Sequence, residues 1–209
     1  MQRANPVLLA IVFLVLIGLL GGAPLFKGAL YLAKHEGDTL HLVEMVLRMA
    51  EHGQWPHLDF MTPIGVLAMA PIAAFVSLGA ALGHAMIYAQ IAVALVLLLP
   101  VLRVASSRFE GNLALIYGGY VMVLCLALVH GEAQPSVSLS MHYNRWAWAI
   151  AYVAVPLVVL RDRGEPRPWL DGALIGLAMA ALALIKVTYF VALAPAVLVG
   201  LLVRAEGRM

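Results

Sequence analysis

Residues 7–20, VLLAIVFLVLIGLL, offer water nothing but their backbone. Runs of this kind recur at about 6–23, 62–82, 85–104, 112–130, 145–160, 170–185 and 187–203. Each approaches the roughly twenty residues that carry a helix across a bilayer. In such runs the peptide groups must satisfy one another, and the uninterrupted apolar pattern excludes a β-barrel, whose strands alternate polar and apolar residues. Composition agrees. The chain is 64% hydrophobic and 11% charged, where soluble domains are about half apolar and a quarter charged. The expected fold is all-α, a polytopic transmembrane helical bundle of about seven helices forming a single domain over 1–209.

A formal charge of +2 with no basic cluster gives no reason to expect nucleic acid as a partner. The single cysteine, Cys125, lies in an apolar run, where it reads as a small packing residue. The N-terminal run is read as a first transmembrane helix rather than a cleaved signal peptide, because GGAPLF is an imperfect cleavage site and more apolar segments follow.

Most arginines lie in RVASSRFEGN (103–112), RDRGEPRPW (161–169) and the tail RAEGRM (204–209). The positive-inside rule places these connections in the cytoplasm and the 130–146 connection on the other side. Trp146, Trp148 and Tyr152 suit an interfacial belt or helix packing equally. The loop at 24–61 is expected opposite the arginines, which makes it extracytoplasmic. That requires the proline- and glycine-containing run at 62–82 to be broken or only partly inserted.

The 24–61 loop carries the most polar stretch of the chain. Wound as a helix over about 38–52, its residues Asp38, His41, Glu44, Arg48, Glu51 and His52 share one arc, with Leu42, Val43, Val46 and Met49 opposite and Met45 as the exception. This is an amphipathic helix suited to lying along the membrane surface. Glu44 and Arg48 have the spacing of a surface ion pair, and Gly53 is placed to end the helix. Asp38 reads either as an N-cap or as part of a site, and Asp59 as a solvated interfacial carboxylate or part of a site. Lys186, between ALALI and VTYF, marks a helix break and either snorkels to an interface or serves a site.

The stretch GDTLHLVEMVLRMAEHGQWPHLDF (37–60), followed by the proline-led MTPIG, resembles the start of the GT-C superfamily of integral-membrane glycosyltransferases. These include the protein O-mannosyltransferases and lipid A aminoarabinose transferases, which use polyprenyl-phosphate sugars. Asp38 matches the leading acid of their first extracytoplasmic loop, and Gly53, Trp55 and Pro56 match the helix exit. GLAMAALALIKVTYF (176–190) is similar to the helix and lysine that close the shared seven-helix module. Thr39 departs from the pattern, standing where a second acid is often found. Such enzymes usually continue with more helices or a soluble domain, so the chain is expected to be an N-terminal module or to rely on a protein partner.

The resemblance implies transfer of a sugar from a polyprenyl-phosphate donor to an extracytoplasmic acceptor, in a bacterial inner membrane. Asp38 would be the catalytic base. Lys186 and Arg145 would bind the phosphate, and Asn144 and His142 would bind sugar or phosphate oxygens. A divalent cation, magnesium or manganese, would be held by Asp38 and Asp59. A non-catalytic membrane subunit and a small-solute transporter are the alternative expectations, with membrane lipid a partner in every case.

Overall fold

The computed structural model describes residues 5–27, 31–32, 36–127, 136–137, 142–163 and 166–206. Its elements are α1 (Pro6–Leu16), α2 (Glu36–His52), α3 (Ala70–Ser77), α4 (Leu82–Arg108), α5 (Gly111–Leu126), α6 (His142–Val159), α7 (Pro168–Ile185) and α8 (Val187–Glu206). The only strands among the described residues are a two-residue parallel pairing of Tyr31–Leu32 with Ser136–Val137. That pairing joins the two connections expected on one side. At the other end, the Arg163 N–H donates to the Ser107 carbonyl at 2.9 Å, joining the two arginine loops.

Local chemistry explains the helix limits. Asn5 caps α1, its side chain accepting from the Val7 and Leu8 amides, and Pro6 occupies the first helical position, where no N–H is needed. A π-helical turn, Ile17–Gly21, continues α1. Its core contact is close, since Phe13 is fully buried with its ring where a Gly118 side chain would stand. In α2 the Gln54 N–H reaches back to the Arg48 carbonyl while Gly53 takes φ 64°, the wrapped C-terminus that glycine permits. The Arg48 to Glu44 pair forms at 2.6 Å. The buried face of α2 is rotated from the expected one, because α2 packs against α3. Thr39, Leu42, Met45 and Val46 are buried and Leu40 is exposed, so Met45 is no exception.

The run at 62–82 does not form a span. It breaks into a 3-10 turn at Val66–Ala68 and the eight-residue α3. The segment dips into the bundle and returns. The Ala68 carbonyl meets His142, and the Ser77 hydroxyl donates to the Ala50 carbonyl of α2. Only α4 then separates the 24–61 loop from Arg103, so the two lie at opposite ends of the bundle. The expectation of about seven spans is reduced accordingly. Four segments are long and apolar enough to cross a membrane: Pro6–Phe26, Leu82–Arg108, Pro168–Ile185 and Val187–Arg204; Gly111–Leu126 is apolar but shorter. These four are compatible with an integral membrane protein.

Helices α7 and α8 form an antiparallel hairpin with a single extended residue, Lys186 (φ −166°, ψ 118°), at its tip. Asp171 near the start of α7 and Arg204 near the end of α8 are both at the arginine end, where Arg204 donates to the Leu157 and Leu160 carbonyls. The tip is at the other end, which also holds α2. There the Gly65 N–H donates to the Ile185 carbonyl at 2.8 Å, and a Cβ at Gly65 would overlap the Leu184 carbonyl oxygen. Glycine is required by this backbone-on-backbone approach.

Replacing Gly65 with alanine is therefore expected to lower stability by about 1–3 kcal/mol through overpacking, read as a lower unfolding temperature in detergent. Gly172→Ala, with open space around it, should be neutral or slightly stabilising through helix propensity. An impermeant maleimide should label cysteines placed at Gln54 and Arg167 from opposite faces of the membrane, with buried Cys125 silent. Labelling of both from one face would overturn the arrangement.

Candidate functional site

The first turn of α6 carries His142, Asn144 and Arg145, and it lies at the α2 end beside the hairpin tip. The side chains diverge around the helix. His142 is fully buried, its Nε2 2.7 Å from the Ala68 carbonyl, and packs edge-on against Trp146. This bond holds the broken 62–68 segment, a structural duty the sequence did not suggest. Asn144 accepts from the Tyr189 hydroxyl of α8 at 2.8 Å. Lys186 places its ammonium 5.7 Å from the Tyr143 ring centroid, a cation–π contact. The Arg145 Nε is buried without a hydrogen-bond partner among the described residues. Neither Lys186 nor Arg145 is in an ion pair among the described residues.

The two tentative metal ligands fare differently. Asp59 sits in the tight turn after α2, where its Oδ2 accepts the Trp55 N–H at 2.7 Å. His57, in the same turn, takes φ 66° and donates its N–H to the Phe60 carbonyl. One oxygen of Asp59 is thus committed to shaping its own loop. Asp38 is the third residue of α2, because the helix begins at Glu36 and not at 38. It therefore belongs to the first turn, which corrects the N-cap reading; an acid there is still favoured by the amide dipoles. Its side chain falls outside the described residues. Among those residues no cluster of three or more potential metal ligands is present.

A groove of about 630 Å³ opens between α4 and α7. Its floor is Trp146, Ile150 and Val153 of α6, and Leu67 and Pro71 close it toward α2. Val96 of α4 and Leu177 of α7 are exposed at its rim, so it opens sideways, where a membrane helix faces lipid. Pro100, inside α4, also lines it and has no N–H for the Val96 carbonyl. At 3.6 residues per turn, the groove face of α6 lies between Tyr143, about 60° to one side, and Arg145, about 100° to the other. The sequence contains no signal for this groove, because its walls are ordinary aliphatic residues brought together by packing.

Sequence reasoning also missed the pairing at the arginine end. Arg103 meets Asp162 at 2.6 Å and Asp171 at 2.9 Å; Arg108 meets the same acids at 2.7 and 2.5 Å. The Arg108 side chain is 1% exposed. Arg163 pairs with Glu110 nearby. The signal was available, since Asp162 and Asp171 sit among the arginines, but charge counting for topology ignores carboxylates. The network ties α4 to α7 beyond Pro100 and Leu174, the last groove residues toward that end.

No family model, characterised protein or solved structure matches this chain.

Removing Asp171 leaves Arg103 and the buried Arg108 to share Asp162, and an under-compensated buried charge is destabilising by as much as about 3–5 kcal/mol. Asp171→Asn should therefore sharply lower thermal stability. Glu110→Gln, breaking the more exposed pair with Arg163, should cost no more than about 1 kcal/mol. Equal effects of the two would refute the structural weight assigned to the buried network.

Proposed function

We propose that the protein is a membrane glycosyltransferase of the GT-C type, moving a sugar from a polyprenyl phosphate to an acceptor hydroxyl at the α2 face. The observation that carries this reading is the apolar groove, whose floor leads to a helix turn flanked by Lys186 and Arg145, two cations with no carboxylate partner among the described residues. A ligand with an aliphatic chain and an anionic head suits that combination. In this reading six helices, α1 and α4 to α8, cross a bacterial inner membrane. The arginine end is cytoplasmic by the positive-inside rule, and the α2 end is extracytoplasmic.

The chemistry follows from the donor. The acceptor oxygen attacks the anomeric carbon, and the bond from that carbon to the phosphate oxygen breaks, its electron pair leaving with the phosphate. Asp38 takes the hydroxyl proton as the new bond forms. Lys186 and Arg145 stabilise the charge that accumulates on the departing phosphate. Asn144, held by the Tyr189 hydroxyl, presents its amide N–H groups to sugar or phosphate oxygens, while His142 acts through Ala68 as a positioning residue. A divalent cation, if bound, would supply further positive charge at the phosphate, with Asp38 and the free oxygen of Asp59 as its protein ligands.

Charge placement weighs against a transporter, which would carry ionisable groups near the midplane on broken helices. Among the described residues, the Asp, Glu, Lys, Arg and His side chains of α4, α6, α7 and α8 lie near one end or the other.

Asp38→Asn should slow sugar transfer by roughly 10²- to 10⁴-fold, the usual scale of general-base assistance, without loss of expression or thermal stability. Lys186→Gln should cost about 10²- to 10³-fold, by analogy with removal of one oxyanion donor. The assay is transfer from a polyprenyl-phosphate sugar by the full-length protein in liposomes. A stable Asp38→Asn protein with undiminished transfer would sink the assignment.

A further inference from the structure

Among the described residues, the arginine end carries more positive charge than its carboxylates neutralise. Arg103 and Arg108 share Asp162 and Asp171, and Arg163 pairs with Glu110. Arg204 is turned onto the Leu157 and Leu160 carbonyls. Arg161 and Arg167 are exposed, and their side chains meet no carboxylate among the described residues. Both project from backbone that the buried network holds in place. Arg161 precedes Asp162, and the Arg167 carbonyl accepts the Asp171 N–H at 3.0 Å. Because Arg103 and Arg108 each bind both acids, the end of α6 and the start of α7 are fixed side by side.

Trp169, in the first turn of α7, is 75% exposed. The apolar segments Leu82–Arg108, Pro168–Ile185 and Val187–Arg204 all end or begin at this level. An exposed indole here meets the headgroup region, where tryptophan is enriched. Over the next three turns of α7, Gly172, Ala173, Gly176 and Ala180 lie on the Trp169 face and are exposed. A Cβ at Gly172 or Gly176 would meet only open space. This face of α7 is therefore a shallow trough of bare backbone and methyl groups. It begins beside Trp169, at the end that carries Arg161 and Arg167. The uncompensated charge is positive, so the complementary headgroup is anionic, whereas a zwitterionic head brings its own cation. The ligand comes from the bilayer, because the trough runs along the outside of a helix long enough to cross it.

We propose that this face binds one anionic phospholipid, with its phosphate held by Arg161 and Arg167, its glycerol level with Trp169 and one acyl chain along the trough. Arginine suits the phosphate because its planar fork meets two oxygens at once. The site is independent of the sugar-transfer reading and lies at the opposite end of the bundle. Bound lipid links the α6–α7 connection to the outer face of α7, and it stabilises the folded protein in proportion to its occupancy.

The test measures binding of tail-labelled phosphatidylglycerol and phosphatidylcholine, with identical acyl chains, to the intact protein in uncharged detergent micelles. Phosphatidylglycerol should bind at least about tenfold more tightly at low salt, the scale expected of two arginines near a membrane surface. That preference should shrink as added salt shortens the screening length. Arg161→Gln combined with Arg167→Gln should bring the two affinities within about twofold of each other. Thermal stability in lipid-free micelles should not change, since both side chains are exposed. Arg161→Lys combined with Arg167→Lys keeps the charge and should keep most of the preference. Equal binding of the two lipids by the unaltered protein would overturn the proposal. So would a preference that survives the double glutamine variant, or one lost on Lys186→Gln, which would place the headgroup at the α2 end. A dimer dispersed by Gly176→Leu, with lipid binding that does not distinguish the headgroups, would assign the face to a second copy of the chain instead.

Discussion

Inside a membrane, every amide and carbonyl must find its partner within the protein, and most of this structure is a response to that requirement. Continuous helices meet it without help. The two interruptions, at 62–69 and at Lys186, meet it by serving each other. The Gly65 N–H takes the Ile185 carbonyl, and His142 takes that of Ala68. Each break would be costly alone, and together they bring the broken 62–69 segment, Lys186 and the first turn of α6 to one end of the bundle.

Charge is organised by the same economy of burial. At the arginine end, carboxylates and guanidinium groups neutralise each other, and the result is a brace between α4 and α7. At the α2 end, the cations Lys186 and Arg145 have no such partners among the described residues, although the acids Glu44 and Glu51 line the nearby exposed face of α2. The two ends therefore differ in how their charges are compensated.

The helical class, the break at Lys186, the end of α2 at Gly53 and the Glu44 to Arg48 pair were legible in the sequence, because each depends on residues within a turn or two of one another. What was not legible depends on distant partners. His142 looked like a ligand-binding residue because nothing local shows that Ala68 needs a donor. Met45 looked misplaced because the wheel of an isolated helix cannot reveal that α3 covers that side. The run at 62–82 had the hydropathy of a span, and its prolines and glycines hinted at interruption without showing where the chain would turn. The groove had no signature at all, being a space between helices rather than a property of any of them.

The contact between Phe13 and Gly118 bears on the order of assembly. The aromatic ring belongs to α1, which is synthesised before α5, yet the notch that receives it is in α5. Until α5 arrives, that ring has no notch to enter. The segment at 62–69 waits longer still, because the carbonyl that accepts the Gly65 N–H belongs to residue 185. Biosynthesis thus leaves the most irregular backbone among the described residues provisional until the α7–α8 hairpin is made.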